Sequence, residues 1–462
     1  MRAGVLEAAV LLIAAILLSY ILFVPPMVGL ASQGDFMRIM TGAGLDYPPE
    51  LTARQRDFCY FQNRFRIVPA TTPPLASTES LLVAIALGMN RVSGTAGWFD
   101  LRVLGAVRLA FFLGALYLLM REARGLRWRS RVLLGVLLIF VGCDIGYSAY
   151  FNSMYLEPAS YIFGIVFVAA AVRLVREPSA AGLLWATAAM VLFAGSKSQN
   201  VPMCLFAAVF VAVLIRPRWK AAVGISAAVL IGLAVGSAAV VPERVRRLNL
   251  YNSIFMQELP FSPTPVDDLR ELGLDGKLAA FSGKSAFFPG APVYDTRVYP
   301  GGATYRGLLR LYLEHPERLV RLTGRGVLES LSNRTVYLGN YLQADSPKCL
   351  TFTKSFGLWD AMRWRLHTPW IFFPLMAGLW IGPVWLARRT GDVVTRRLLW
   401  LQFCFATMAA IAFYTAILGD GNEFRKHLFP FSFCVDACLV ASALWVSELA
   451  RSGGPKRAHL PR

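Results

Sequence analysis

The chain has 462 residues, of which 56% are apolar and only 16% are charged. Soluble domains carry about 25% charged residues, so this composition excludes an ordinary soluble protein and indicates a membrane protein. The formal net charge of +19 does not indicate a nucleic-acid partner. Basic residues hold the loops of membrane proteins on the cytoplasmic side, which accounts for the excess.

Apolar runs along the chain predict an all-α polytopic membrane protein with about ten spans, since about 20 helical residues cross the roughly 30 Å hydrocarbon core. The predicted spans are residues 8–30, 101–120, 132–147, 159–175, 180–195, 201–215, 221–241, 369–387, 398–418 and 428–449. A shorter apolar run at 80–92 cannot cross the core and predicts an interfacial or re-entrant helix.

Arginine clusters follow alternate spans, and the positive-inside rule therefore places both termini in the cytoplasm. The outer side then receives two large segments, a first outer loop at 31–99 and a region at 242–368, together with three short polar turns. We divide the chain into an N-terminal membrane module, the extracytoplasmic loop region, a C-terminal membrane module and a basic cytoplasmic tail. These four parts are residues 1–241, 242–368, 369–450 and 451–462.

The outer region 242–368 contains turn-rich stretches and a predicted helical stretch at 305–330. Its tyrosines and arginines suit contacts with sugars and phosphates, but a structural cap would explain them equally well. Its cysteine, Cys349, and Cys59 of the first outer loop are the two cysteines of these outer segments. In an oxidising compartment they would be able to form a disulfide.

Asp35 lies a few residues after the first span, in the sequence Gly34-Asp35-Phe36. A carboxylate here is either a functional acid or a solvated group in an exposed pair with Arg38. The turn 144–158 is richer in polar side chains, because it contains Asp144, Asn152 and Glu157 between two spans. Its tyrosines are typical of an interface belt, but acids at membrane depth are usually functional.

Two further turns carry cations on the side where cations are disfavoured. Lys197 is the single charge of the polar turn 196–200, and either solvation or a phosphate partner would explain it. Arg425, Lys426 and His427 follow acids in the segment 420–427, which is either a solvated cap or an anion site beside an acid/base pair. Within spans, Asp436 and Arg108 are expected to face a cavity or a partner rather than lipid.

These stretches together resemble the membrane-embedded glycosyltransferases of the GT-C class, and in particular the bacterial surface-glycan hexose transferases of the S-layer-glycan type. The resemblance covers nearly the full length. The stretches that carry it are 34–36, 150–158, 195–200, 251–255 with 272–274, and Lys426-His427-Leu428 with Asp436.

The resemblance implies an inverting transfer of a sugar, with a hexose expected, at the outer face of the bacterial inner membrane. It implies a polyprenyl-phosphate-linked donor and a surface-glycan or lipid-linked acceptor, within membrane lipid. Asp35 matches the place of the catalytic base. The donor-phosphate ligands are then expected among Lys197, Arg425, Lys426 and His427.

Asp144, Asn152 and Glu157 are candidates for orienting the acceptor. Asp144 and Glu157 are also candidate ligands of a divalent cation such as Mg²⁺ or Mn²⁺. Some members of the class use a metal and others do not, so no cofactor is assigned.

Three other functions stay open at this point, and one of them is a membrane-anchored binding or assembly subunit. A transporter or flippase of a lipid-linked glycan would carry charges near the bilayer midplane and have short outer loops, whereas this chain has few mid-span charges and two large outer loops. A glycan ligase or polymerase would share this topology but discharge a diphosphate-linked glycan. The sequence contains no Walker-type phosphate loop, no His-Glu-x-x-His and no Gly-x-Ser-x-Gly with a following acid and histidine, which argues against the usual ATP-driven transporters and hydrolases.

Overall fold

The computed structural model describes residues 3–92, 97–214, 219–294, 303–420 and 423–449. The helices up to residue 240 are α1 (Ala3–Phe23), α2 (Met37–Ala43), α3 (Ala53–Arg56), α4 (Thr78–Val92), α5 (Leu101–Glu122), α6 (Trp128–Phe140), α7 (Ile145–Ser148), α8 (Glu157–Arg176), α9 (Ala180–Ala194), α10 (Pro202–Leu214) and α11 (Lys220–Val240). The later helices are α12 (Glu243–Asn252), α13 (Pro265–Glu271), α14 (Tyr305–Glu314), α15 (Pro316–Glu329), α16 (Leu358–Trp364), α17 (Pro369–Arg389), α18 (Val393–Gly419), α19 (Phe424–His427) and α20 (Phe429–Leu449).

Seven described helices are long and apolar enough to cross a membrane, by length and composition. These candidate spans are Gly4–Phe23, Leu101–Gly125, Glu157–Arg176, Lys220–Ser237, Pro369–Arg389, Val393–Gly419 and Phe429–Glu448. A bent pair, Trp128–Phe140 with Ile145–Phe151, would make eight if it forms one span, with a bend of 52°. The protein is therefore a helical, multi-pass membrane protein.

Three of the ten predicted spans have no counterpart among the seven long helices: the span 132–147 corresponds to the bent pair, and the other two correspond to short helices. The predicted spans 180–195 and 201–215 correspond to α9 and α10, which have 15 and 13 residues. Helices of that length are shorter than the roughly 30 Å core and would cross it only where the bilayer thins locally, so the count of ten stays a prediction. The helix predicted at 80–92 is present as α4, and its interfacial position likewise stays a prediction.

Helix α8 lies at the centre of the bundle, and most of its residues are buried inside the protein. Small residues allow the close approach of its neighbours, since a Cβ on Gly164 would meet the Phe433 ring of α20 at 2.8 Å. Helices α5, α9, α18 and α20 pack around it. The N-terminal end of α8, where Glu157 lies, is consequently held from several sides.

The first outer loop contains a small antiparallel sheet that the sequence did not predict. Its strands are β1 (Leu45–Asp46), β2 (Arg64–Ile67) and β3 (Trp98–Asp100), in the order β1-β2-β3. Strands of two to four residues are too short to show the alternating pattern by which strands are recognised in a sequence.

The two large segments that are predicted to lie outside, 31–99 and 242–368, are joined covalently, because Cys59 and Cys349 form a disulfide. This confirms the predicted pairing. The helical stretch predicted at 305–330 is also present, but it is divided into α14 and α15 at Pro316, whose ring cannot continue a helix from α14. The predicted basic tail 451–462 lies outside the described residues.

Candidate active site

Asp35 is presented by a tight turn between α1 and α2. Gly34 has a φ of +101°, a conformation that favours glycine, and its N–H donates to the Ser32 hydroxyl at 2.9 Å. The next residue, Phe36, is buried and meets the ring of Tyr155 edge-on, with centroids 4.9 Å apart. The buried Phe36 therefore anchors the turn and leaves the neighbouring carboxylate partly exposed.

Two carboxylates share one lysine at this turn. The Lys426 ammonium donates to Asp35 Oδ2, and it donates to Glu423 Oε2 at 2.8 Å. The Gln33 amide bridges the same two oxygens, donating to Asp35 Oδ2 at 3.2 Å and to Glu423 Oε2. Arg38 completes the cluster with a contact of 3.1 Å to Asp35 Oδ1. Asp35 therefore faces two cations, and Lys426 faces two anions.

These contacts keep the central groups charged. Burial raises the pKa of Asp35, but Lys426 and Arg38 outweigh it and hold the pKa of this carboxyl well below its usual range. Burial lowers the pKa of Lys426, yet the carboxylates of Asp35 and Glu423 reverse this, and the pKa of the lysine is raised. Both groups are ionised at neutral pH.

The backbone at Glu423 is unusual, since this non-glycine residue has φ 63° and ψ 51° at the N-terminal end of α19. A left-handed conformation costs a non-glycine residue about 1–3 kcal/mol, and such strain clusters at functional sites. The buried Phe424 and Lys426 that follow fix α19 in place. The strained backbone thus aims the Glu423 carboxylate at the lysine of its own short helix.

A second buried pair adjoins the first. Lys197 Nζ lies 2.7 Å from Glu157 Oε1, and both side chains are buried. The turn that carries Lys197 is docked on α8 by Asn200, whose amide donates to the hydroxyls of Ser160 and Ser196 at 3.1 Å each. The buried amide therefore fixes the lysine over the first turn of α8.

His427 lies near both pairs, since the charges of Lys197 and Lys426 both act on it. Its Nδ1 is 2.9 Å from Gln199 Oε1 and its Nε2 is 3.4 Å from Asp420 Oδ2. Burial and the charge of Lys197 lower the pKa of His427, so the imidazole is neutral at pH 7. Burial also lowers the pKa of Lys197, which Glu157 only partly offsets, and the charges of Lys426 and Asp35 act on it as well.

The structure therefore brings five predicted residues into one neighbourhood, and their roles stay predictions. These residues are Asp35, Glu157, Lys197, Lys426 and His427.

The family is identified by a match that covers nearly the whole chain, not by this cluster alone. Residues 2–457 match the model of a family described as the YfdI N-terminal transmembrane domain. The chain belongs to this family. No curated protein and no solved structure gave a significant match. The transmembrane description of the family agrees with the multi-pass helical fold.

Asp144 lies outside the neighbourhood of Asp35 and has structural partners of its own. Its carboxylate caps α7 by accepting the N–H of Gly146 at 2.8 Å, and it accepts the N–H groups of Trp359 and Asp360 at 3.0 and 3.2 Å. A carboxylate that satisfies three backbone donors positions α16 against α7. The structure does not place Asp144 with Asp35.

Asn152 also has structural partners, since its amide donates to the carbonyls of Leu22 and Val28 at 2.8 and 2.9 Å. The same loop is held by Arg108, which donates to the carbonyls of Phe151 and Ser153 at 2.7 Å each. These buried donors shape the loop that precedes Glu157.

Arg425 points away from its neighbour Lys426. Its guanidinium contacts Glu329 at 2.6 Å and stacks over the Trp364 ring at 4.6 Å from the centroid. Consecutive residues of a helix do not share a face, so α19 directs Lys426 toward Asp35 and Arg425 toward α15.

A divalent cation does not fit the two predicted ligands. Within the described ranges no group of three or more His, Cys, Asp or Glu residues could hold a metal ion. Asp144 is occupied by backbone donors and Glu157 by Lys197. We therefore assign no step to a metal.

The expectation that the intramembrane charges have partners is confirmed, since Arg108 pairs with Glu79 at 2.6 Å and Asp436 with Arg363 at 2.7 Å. Sequence reasoning missed Gln33 and did not assign a role to Glu423. Gln33 lies two residues before Asp35 in a polar stretch, and that proximity is the available signal. Its contact with Glu423 joins residues 390 apart in the chain, which no local pattern reveals.

Proposed function

We propose that the protein is a GT-C-type membrane glycosyltransferase that moves a sugar, with a hexose expected, from a polyprenyl-phosphate donor to a surface-glycan or lipid-linked acceptor. The YfdI family is associated with glycosyltransferase activity, which supports this class of reaction. The observation that carries the proposal is the Asp35–Lys426–Glu423 cluster, an ionised and partly exposed carboxylate beside a buried cation.

Asp35 is the general base in this proposal. The acceptor hydroxyl attacks the anomeric carbon, its proton passes to the Asp35 carboxylate, and the bond from that carbon to the phosphate oxygen breaks on the opposite face. The new bond therefore inverts the anomeric configuration. A positioned base contributes about 10²–10⁴-fold to such a transfer.

Lys426 and Lys197 would neutralise the charge that develops on the leaving polyprenyl phosphate. His427, as a neutral imidazole, would add a hydrogen bond rather than a charge. Arg425 is held by Glu329 and would have to turn to reach the same phosphate.

Lys426 would also tune the base. A carboxylate whose pKa is lowered by a cation is a weak base, so Asp35 paired with Lys426 is poorly suited to accept a proton. A donor phosphate would draw Lys426 away from Asp35, and burial would then raise the pKa of the carboxyl. In this scheme the base becomes active when the donor is bound.

The outer side of the membrane is the proposed location of the site. A disulfide joins the two large loops, and disulfides persist in oxidising compartments. The arginine clusters on the opposite connections support cytoplasmic termini. We therefore propose a bacterial inner-membrane protein with its site on the extracytoplasmic face.

Purified protein in liposomes would distinguish the donor classes. We expect sugar transfer from a hexose on polyprenyl monophosphate and none from a nucleotide-linked hexose. Transfer of a glycan from a polyprenyl diphosphate would instead identify a ligase or polymerase. Movement of the labelled lipid between leaflets without any new glycosidic bond would identify a flippase and overturn the proposal.

A further inference from the structure

A large apolar cavity lies within the helix bundle, between α5, α6, α8, α18 and α20. Its volume is about 640 Å³, and pockets that bind small ligands have volumes of about 300–1,000 Å³. Asp35, Glu157, Lys197 and Lys426 do not line it, although all four belong to the described part of the chain. The cavity is therefore separate from the candidate active site.

The cavity is elongated along α8. The residues of this helix that line it are Tyr161, Ile165, Val168, Val172 and Arg176, which recur every three or four positions and form one stripe. At about 1.5 Å per residue the stripe is about 22 Å long. A channel of this length with apolar walls has the shape of an extended hydrocarbon chain.

The two ends of the channel differ. Toward the candidate active site it is lined by aromatic rings, with Tyr147 stacked on Tyr161 at 4.2 Å and Phe433 meeting Tyr161 at 6.0 Å. At the other end the lining includes polar residues at the ends of the helices, Arg127 and Glu448 among them. A lipid chain would therefore have one end near the aromatic rings and the other near the polar rim.

Asp436 supplies a polar group at the aromatic end. It lines the cavity, is 4% exposed, and its Oδ2 accepts from Arg363 at 2.7 Å and from Tyr147 at 2.6 Å. Trp359 Nε1 is a third donor to Oδ2, at 3.1 Å. The other oxygen, Oδ1, has no hydrogen-bond partner among the described residues. A buried acceptor left without a donor is destabilising, and a ligand that donates to it would remove that penalty.

We infer that this cavity binds a single-chain lipid alcohol, with the hydrocarbon chain in the apolar channel and the hydroxyl donating to Asp436 Oδ1. A phosphate or carboxylate head group does not fit at this end, because it would face the like charge of Asp436. An ammonium head group does not fit either, because Arg363 already lies against the same carboxylate. A neutral hydroxyl supplies the donor without a net charge.

Straight-chain and isoprenoid alcohols share this chemistry, and both are predicted to enter. The assignment does not depend on Asp35 acting as a base. The Asp35→Asn variant should therefore bind the alcohol as the wild type does, so that failure of the proposed transfer reaction and failure of this site can be told apart.

The test uses the full-length protein in lipid nanodiscs and a long-chain alcohol that carries a photoreactive diazirine in its chain. Crosslinked residues are mapped by mass spectrometry. Val440→Phe narrows the channel, whereas Val446→Phe makes the same change at an outward position of the same helix. If Val440→Phe folds poorly, Val168→Phe narrows the channel from α8.

We expect crosslinks on the channel faces of α8 and α20, lost in Val440→Phe and kept in Val446→Phe. Unlabelled dodecanol and farnesol should compete, and dodecyl phosphate should need about a tenfold higher mole fraction, since a hydrogen bond to a charged group is replaced by repulsion. The alcohol that competes at the lower mole fraction shows whether the cavity prefers a straight chain or an isoprenoid chain. Crosslinking that is insensitive to Val440→Phe, or equal competition by dodecyl phosphate, would overturn the inference.

Discussion

Two ion pairs, Glu79–Arg108 and Asp35–Lys426, use the same chemistry in different ways. Arg108 is fully buried and donates to Glu79 and to three backbone carbonyls, while the second oxygen of Glu79 accepts the N–H of Ala159 at 3.0 Å. Lys426 is divided between two carboxylates, and Asp35 stays 21% exposed.

Under the proposed function, the difference separates a structural pair from a pair that a ligand would use. In the first pair every polar group has a fixed partner, and no ligand can reach it. In the second a cation shared by two acids can be taken over by an incoming phosphate without leaving a buried carboxylate wholly unpaired. Removing the first pair should therefore affect folding, and removing the second should affect turnover.

The largest loss of stability is expected for Arg108→Met. The change leaves Glu79 and three carbonyls without their donor, and breaking a buried pair costs about 3–5 kcal/mol. Arg102→Met is the control on the same helix, because Arg102 is half exposed in its pair with Asp100 and such pairs contribute below about 1 kcal/mol. Thermal unfolding in detergent measures both; equal losses would contradict a structural role specific to Arg108.

The outer loops that hold Asp35 are expected to depend on the disulfide. Replacing Cys59 and Cys349 with serine removes a bond between positions 290 residues apart and should reduce the unfolding free energy by about 2–5 kcal/mol. Reductant should lower the melting temperature of the wild type to that of the double variant. A reductant effect on the double variant as well would show that another cause is at work.

Gly105→Ala tests the loop that Arg108 and Asn152 organise. A Cβ at this position would collide with the side-chain oxygen of Asn152, so we expect a loss of about 1–3 kcal/mol. Gly114→Ala on the same helix meets nothing within 4 Å and should stabilise the helix by about 0.5–1 kcal/mol. The melting temperature should therefore fall in Gly105→Ala and rise in Gly114→Ala.

Lys426→Gln is expected to shift the acid limb of the pH profile of kcat/KM. Lys426 favours the charged form of Asp35, so its removal raises the pKa of the carboxyl and shifts the limb to higher pH. Arg38→Gln should shift it in the same direction but less, because the Arg38 side chain is 49% exposed and screened by water. An unmoved limb in Lys426→Gln would mean that the limb reports another group.

The long apolar helices were predictable because hydrophobic runs determine them. The sequence placed both ends of α5, α8, α11, α17 and α20 within about two residues, whereas the first span was predicted five to seven residues too late. It located Asp35 by resemblance. It did not show that Glu157 lies near Asp35 whereas Asp144 and Asn152 have structural partners elsewhere. Neighbouring residues of an irregular turn point in different directions, and their partners are set by packing.

The sequence also could not predict that Gln33 and Lys426 bridge the carboxylates of Asp35 and Glu423. This bridge joins the first outer loop to α19 near the end of the chain, and the intervening helices set the distance between them. The sheet of the first outer loop was missed because its strands are too short to form a pattern.

The most direct test of the account is sugar transfer by Asp35→Asn, compared with Asp46→Asn in the same outer loop. Asp46 is exposed and lies outside the Lys426 cluster, so its variant controls for changes in the loop. We predict that Asp35→Asn loses about 10²–10⁴-fold in transfer rate with little change in melting temperature or donor binding, while Asp46→Asn transfers normally. Near-normal transfer by Asp35→Asn would contradict the assignment of the base.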